Sequence, residues 1–293
     1  MKVNVGIVGT GIYIPEKYIT AKEISEKTNG VWSEEAIINK LGFTKKTIPC
    51  SKDGTQEMGV KAALDCLKRT NVDPNEIDVI LCIGEEWKEY PLTTSAIYIQ
   101  EQIGAVNAWG IDVQNRCCTS VAAMKIAKDM LIADKEIDTI MVVGGYRNGD
   151  LIDYADPKMS MMFNLGTGAG SIILKKNYNK NLLLESHIMS DGSLARDAGV
   201  YYGGVVNPIN AENLDKAYKS LTLMNPKHMK DRLNLVSMKN WMHCIDKAFE
   251  KSGVHKNELG YLAVLHFKHS MHKYMLDLLN LTEEQTIYLI NSK

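Results

Sequence analysis

Short, nearly unbroken apolar runs, separated by stretches of helical periodicity, constrain this chain more than any other feature. Residues 77–83 (Ile-Asp-Val-Ile-Leu-Cys-Ile) and 138–144 (Asp-Thr-Ile-Met-Val-Val-Gly) read as strands without a polar face. Such strands need cover on both sides, and helices alternating with them imply a mixed, mostly parallel sheet layered between helices. The helical stretches are 55–68, with Met58, Ala62, Leu64, Cys66 and Leu67 available for packing, and 93–103. Further strands are expected at 3–8, 110–113, 170–174 and 182–186.

The second half restarts the same pattern. Residues 233–251 form a helical stretch with Leu235, Met238, Met242, Ile245 and Phe249 on one face, followed by an apolar run at 260–265 and a second helical stretch at 270–279. The segment Asn71-Val-Asp-Pro-Asn-Glu-Ile matches Gly253-Val-His-Lys-Asn-Glu-Leu: Val, Asn-Glu, an aliphatic residue and an apolar run follow at equal offsets. That spacing predicts a structural repeat and two related α/β halves, residues 1–176 and 177–293, joined near a polar turn at 175–180. Residues 201–234 are irregular and are expected to cross the surface or a pocket. The chain stops at Lys293, just after an apolar run at 286–290, so a C-terminal segment is expected to be missing.

Composition narrows the function classes. The apolar fraction is 45% and the charged fraction 24%, ordinary for a soluble globular protein. A net charge of −1 gives no electrostatic case for nucleic acid or an anionic membrane. No apolar run reaches the roughly 20 residues of a membrane span, and the glycine-broken N-terminus does not read as a signal peptide. Cysteines at 50, 66, 82, 117, 118 and 244 form no CxxC pair, which reads as reduced thiols in a cytoplasm. Gly6-Ile-Val-Gly-Thr-Gly11 lacks the register of a dinucleotide loop, and Pro15 follows where a helix would begin. His266, His269 and His272 recur every three residues with no Cys or Asp to complete a set, so no metal site is expected; His269 and His272 read as solvated helix residues.

Cys117 follows the expected strand end at 110–113 and opens a helical stretch in which Val121, Met124, Ala127 and Leu131 recur. A thiol at a helix N-terminus feels the positive end of the dipole, which favours the nucleophilic thiolate. Free cysteines are more often small packing residues; the rest of the chain shifts the balance.

Several stretches combine into one resemblance. They are the opening Gly6-Ile-Val-Gly-Thr-Gly-Ile-Tyr-Ile-Pro15, Phe43-Thr-Lys-Lys-Thr-Ile, Asp112-Val-Gln-Asn-Arg-Cys-Cys-Thr-Ser, Phe163-Asn-Leu-Gly-Thr-Gly-Ala-Gly170, Ser190-Asp-Gly-Ser193 and Val264-Leu-His-Phe-Lys-His269. Together they resemble the β-ketoacyl-acyl-carrier-protein synthase III group of the thiolase superfamily, over essentially the whole chain. The resemblance implies a thiolase fold of two pseudo-duplicated α/β halves with mixed sheets in αβαβα layers. It implies Cys117 as the acyl-accepting nucleophile and His266 as the histidine that stabilises an oxyanion or enolate. The implied reaction is acyl transfer from an acyl-CoA to Cys117 and condensation with a malonyl-type thioester, as in fatty acid or polyketide biosynthesis. Coenzyme A thioesters would be substrates, with no cofactor, and the implied partners are an acyl carrier protein and a second copy in a homodimer.

The chain departs from the family pattern at named places. Cys118-Thr119 stands where Ala-Gly is usual, Leu165-Gly-Thr-Gly where Gly-Asp-Gly is usual, and His269 where the histidine motif has Asn. The family's third catalytic residue, an asparagine, would fall about three residues beyond Lys293. The arginine that stacks on the coenzyme A adenine aligns with Lys40, while Trp32 does not align with its tryptophan partner. Tyr90, before Pro91, corresponds to the residue that crosses the family's dimer interface into the neighbour's acyl pocket. Glu86, in Gly84-Glu-Glu86, is a candidate general base by similarity to hydroxymethylglutaryl-CoA synthases. Acyl transfer to a non-carbon nucleophile, hydroxymethylglutaryl-CoA-synthase-like condensation and a non-catalytic partner subunit are the alternatives.

Overall fold

A computed structural model describes residues 3–267 and 269–287. The strands are β1 (Val5–Tyr13), β2 (Tyr18–Thr20), β3 (Lys45–Thr47), β4 (Val79–Cys82), β5 (Trp109–Asp112), β6 (Thr139–Tyr146), β7 (Gly168–Lys176), β8 (Ala198–Val200) and β9 (Leu221–Leu223). The α-helices are α1 (Ala21–Lys27), α2 (Glu34–Ala36), α3 (Thr55–Thr70), α4 (Ser95–Ile103), α5 (Thr119–Ala133), α6 (Leu214–Ala217), α7 (Pro226–Ser252) and α8 (His269–Leu279). The chain falls into two compact units that interleave in sequence. One comprises residues up to Tyr18, Thr47–Asn148 and Gly166–Leu184; the other comprises Ile19–Lys46, Gly149–Leu165 and the chain from Glu185.

The first unit is built on a five-stranded sheet in the order β1-β7-β6-β4-β5. β4 runs parallel to both β5 and β6, while β7 runs antiparallel to β6 and β1. Successive strand residues face opposite sides, and the packing follows that rule. Ile80, Cys82, Met141 and Val143 pack with Val60, Ala63, Cys66 and Leu67 of α3 and Ile99 and Ile103 of α4. Val79, Leu81, Ile140 and Val142 pack with Ala123, Ala127 and Leu131 of α5 on the other face. This double cover is what the unbroken apolar runs require. α3 approaches the sheet so closely that a Cβ at Gly145 would lie 2.2 Å from the Thr55 carbonyl oxygen. Residues 182–186, expected as a strand, make only an isolated bridge from Leu182 to Gly6.

In the second unit α8 buries Met275, Leu276 and Leu279 against Met238, Trp241, Met242 and Ile245 of α7. Among the described residues, the expected strand at 260–265 makes one parallel bridge, Leu262 with Thr286. The apolar run at 286–290 lies largely outside the described residues. The sequence repeat does have a local structural counterpart. Asn71 ends α3 and Gly253 ends α7 in the left-handed conformation, at φ 55° and 64°. Each is followed by a one-turn 3-10 helix with a reciprocal cap, Asp73 with Glu76 and His255 with Glu258. The packing of the two helices differs: α3 buries Met58, Ala62, Ala63 and Cys66 among others, whereas α7 has no buried residue. No helix among the described residues is long and apolar enough to cross a membrane.

Candidate active site

Three parallel strands of the first unit end side by side, and the segments beyond their C-terminal ends carry the polar groups of interest. This is where ligand sites form in open α/β sheets. The segments are tied together. The Val113 N–H donates to the Cys82 carbonyl at 2.8 Å, and the Gln114 side-chain amide donates to the Gly84 carbonyl at 2.6 Å. Asp112 at the end of β5 serves structure: its carboxylate accepts from the Ser95 and Ala96 N–H groups at the start of α4, at 3.0 and 2.8 Å. A carboxylate there suits the helix dipole and the unpaired N–H groups.

Cys117 does not open α5 directly. It lies in a one-turn 3-10 helix, Arg116–Cys118, and Cys118 is the N-cap of α5. Arg116 has φ 50°, the left-handed region, which costs a side-chain-bearing residue about 1 kcal/mol. Local bonds hold the turn: Asn115 N–H to Thr119 Oγ1 (2.8 Å), Thr119 hydroxyl to Arg116 carbonyl (2.6 Å) and Cys118 N–H to Asn115 carbonyl (3.2 Å). Both Cys117 and Cys118 are exposed.

The charge around Cys117 differs from the expectation of a thiolate favoured by the dipole. The thiol is raised above its ordinary pKa. The largest cause is lost hydration, because protein atoms crowd the sulfur although the residue reaches solvent; the charges of Cys118 and Glu85 add to it, while the Cys117 N–H and Arg116 oppose it. Glu85, not Glu86, is the carboxylate whose charge acts on this thiol. Glu85 is 9% exposed and receives Arg116 Nη1 at 3.3 Å. Glu86 has a side chain 66% exposed and receives Arg116 Nη2 at 3.1 Å, which turns the predicted general base outward. Tyr146, at the end of β6, completes the cluster. Burial, then the charges of Glu85 and Cys117, push its hydroxyl well above the ordinary range. Sequence reading assigned no role to Glu85 or Tyr146; their position at the ends of parallel strands was the available signal.

Tyr90 stands at the apex of the loop between β4 and α4 and is 71% exposed. Beside it Leu92 is fully exposed with φ 65°. The loop is pinned by Glu89, whose carboxylate accepts from the Gln56 and Glu57 N–H groups at 2.9 and 3.2 Å, and by Lys88, paired with Asp112 at 3.0 Å.

A second cluster gathers around His266 in the other unit. Its Nε2–H donates to the Leu41 carbonyl at 2.9 Å, so the nitrogen expected to face an oxyanion is engaged with backbone here. The Asn164 side-chain amide donates to the His266 carbonyl at 3.1 Å and fixes that backbone. Asn164 lies in the glycine-rich stretch noted in the sequence, but its role was not legible there. His269 is exposed at the start of α8. His272, read as solvated, is instead 2% exposed, bonds Thr286 Oγ1 through Nε2 at 2.9 Å and stacks on Phe267. Lys40 is exposed in the turn Ile37–Leu41. Lys46 is buried over the Tyr154 ring; burial, against the opposing charge of Asp150, pushes its ammonium down to about 7. Among the described residues no three His, Cys, Asp or Glu side chains are arranged to hold a metal ion.

Comparison with known proteins bears on these clusters. Residues 111–192, which include the Cys117 turn, match the family 3-oxoacyl-[acyl-carrier-protein (ACP)] synthase III. A β-ketoacyl-[acyl-carrier-protein] synthase III from Azobacteroides pseudotrichonymphae is 31% identical over 216 residues, 73% of this chain. The match spans 63% of that relative's length. The solved 3-oxoacyl-[acyl-carrier-protein] synthase III from Aquifex aeolicus shares the fold with a TM-score of 0.80 at 19% identity, covering 96% of this chain and 83% of the other. The priming β-ketosynthase of the R1128 polyketide pathway does so with a TM-score of 0.79 at 21% identity, covering 97% and 80%. The strand order, the cysteine turn and these likenesses converge: the chain is a β-ketoacyl-acyl-carrier-protein synthase III-like member of the thiolase superfamily.

Proposed function

We propose that the chain is an acyltransferase of the β-ketoacyl synthase III type. Cys117 takes an acyl group from an acyl-CoA, and the acyl-enzyme condenses with a malonyl-type thioester. The observation that carries this reading is an exposed Cys117, presented by a strained turn between β5 and α5 inside the stretch that matches the synthase III family. The thiolate attacks the thioester carbonyl and coenzyme A leaves as the thiol, so one thioester replaces another. His266 is assigned the oxyanion or enolate; its Nε2–H must then exchange the Leu41 carbonyl for the substrate oxygen. Lys40 and His269, both exposed, are assigned to substrate binding, and the carrier of the second thioester is assigned as an acyl carrier protein.

A homodimer belongs to the same proposal. β5 is an edge strand with Trp109 and Ile111 exposed, next to a pinned loop that presents Tyr90 and Leu92. An exposed apolar edge of this kind invites strand pairing with a second chain. A cytoplasmic location is proposed from the reduced cysteines.

One observation favours a second reading. A buried carboxylate, Glu85, is paired at 3.3 Å with Arg116, the residue next to Cys117, and its charge acts on the thiol. A base there suits proton removal from an attacking nucleophile, as in acyl transfer to oxygen or nitrogen. Intact-protein mass after brief incubation with a panel of acyl-CoAs, alongside Cys117→Ala, tests the shared first step. An acyl-sized gain that vanishes in the variant supports it. Absence of any adduct on the folded chain overturns it and favours a non-catalytic partner subunit. Release of the acyl group by malonyl thioester, against release by amines or alcohols, separates the two readings.

A further inference from the structure

We propose that Asn164 and Lys46 are positioning residues: together they hold His266 where its Nε2–H can meet the substrate oxygen. This rests on the reading that His266 serves an oxyanion or enolate.

A closed ring of contacts carries the inference, and every member lies in one compact unit. The His266 Nε2–H donates to the Leu41 carbonyl at 2.9 Å. A carbonyl oxygen only accepts, so this bond holds the imidazole with hydrogen on Nε2. Asn164 takes the other end of the residue: its side-chain amide donates to the His266 carbonyl at 3.1 Å. The next residue, Leu165, offers its own carbonyl to the Lys46 ammonium at 2.8 Å. Lys46 follows Leu41 closely in the chain, past Gly42, whose φ of 82° turns the backbone toward β3. Lys46 thus joins the segment that aligns the imidazole to the segment that fixes its backbone.

Both segments are anchored. Leu41 and Phe43 are buried. Phe163, directly before Asn164, is fully buried and packs on Trp32 and Tyr154, with ring centroids 6.5 and 5.2 Å away. The Lys46 ammonium sits 5.1 Å from the centroid of that same Tyr154 ring. This frame keeps the His266 backbone in place when Nε2–H leaves Leu41 for the substrate. Packing alone does not explain Lys46. Burial pushes its ammonium down to about 7, so the charged form costs stability that an apolar residue of similar length would not. What the amine adds is the tie to the Leu165 carbonyl and the Tyr154 ring.

The test measures kcat and KM for malonyl-CoA with the acyl-CoA donor saturating. The full chain is compared with Asn164→Ala, Lys46→Met, His266→Ala and the two double variants that include His266→Ala. Asn164→Asp keeps the volume and loses the donor, and reads the same bond should Asn164→Ala fail to fold. Each single variant at Asn164 or Lys46 is expected to lose kcat on the order of 10²-fold, the cost of a misplacement of about 1 Å. KM for malonyl-CoA should stay within about twofold, and the further loss on the His266→Ala background should also stay within about twofold. A loss as large on that background as on wild type, or no loss in the single variants, overturns the proposal and leaves the His266 reading standing. A Lys46→Met chain that does not fold shows that Lys46 holds the unit as a whole and overturns its positioning role. A His266→Ala chain with wild-type kcat removes the His266 reading itself.

Discussion

Glu85 and Cys117 lie on segments that follow adjacent strands, and the charge of the first acts on the thiol of the second. The buried carboxylate beyond β4 makes the thiolate beyond β5 harder to form. Arg116 bridges Glu85 and Glu86 at 3.3 and 3.1 Å and offsets part of that effect. A resting thiol held protonated reacts slowly with stray electrophiles, since the thiolate is the reactive form.

Glu85→Gln is expected to move the pH profile of Cys117 alkylation by iodoacetamide to lower pH. Removing a like charge favours the charged thiolate. Glu86→Gln should move it less, because Glu86 is exposed. Peptide-resolved alkylation rates across pH check both. An unmoved profile in Glu85→Gln contradicts the electrostatic assignment.

Gly145→Ala is expected to destabilise the fold by about 1–3 kcal/mol, typical of overpacking. Its Cβ would meet the Thr55 carbonyl oxygen at 2.2 Å and Met58 Cβ at 3.2 Å, neither at the end of a flexible side chain. Gly170→Ala is the control: a Cβ there meets nothing within 4 Å, so a change within about 0.5 kcal/mol is expected. Denaturant unfolding of the two variants measures the contrast.

These two positions show what was legible. The helix 55–68, the strand 138–144 and the repeat of Asn71-Val-Asp with Gly253-Val-His could be read because periodicity and cap chemistry are local. The collision of α3 with Gly145 could not, since it depends on how a helix settles on a sheet. The same division holds at the site. Cys117 was placed after a strand by pattern alone. Its raised pKa follows first from lost hydration and then from the charges of Cys118 and Glu85, against Arg116, and those surroundings are tertiary. His272 read as solvated because its burial against Phe267 and Thr286 is tertiary.

Asp53→Asn tests acid stability. Asp53 is 3% exposed; burial raises its pKa, but bonds from the Cys50 N–H (2.9 Å), Tyr13 hydroxyl (2.7 Å) and Lys61 (3.1 Å) win and hold it well below the usual carboxylate range. A carboxylate whose pKa falls on folding adds stability above its unfolded pKa of about 3.9, and loses it as pH drops through the folded value. The variant should therefore be about 1–3 kcal/mol less stable near neutrality. The gap should narrow below pH of about 4. Urea unfolding at stepped pH reads the crossover.

Ile111→Lys is expected to convert the proposed dimer to a monomer. The residue is exposed on the edge strand, and a buried ammonium at a strand–strand interface is strongly unfavourable. Sedimentation velocity distinguishes the states. A wild-type chain that sediments as a monomer at micromolar concentration removes the proposal.

α3 and α7 follow one grammar yet are held differently. The first is sunk into a core, while the second, 27 residues long, has no fully buried residue and packs through partly buried ones such as Met238, Trp241 and Met242. Most helical stability comes from packing of an apolar face and not from backbone bonds, so protection against solvent deuterium should track burial and not helix length. The amides of α3 are expected to exchange only through global unfolding. Those of α7 should exchange through smaller openings and at lower free energy. Two segments that share one helix-end pattern would then report two separate unfolding equilibria within a single chain.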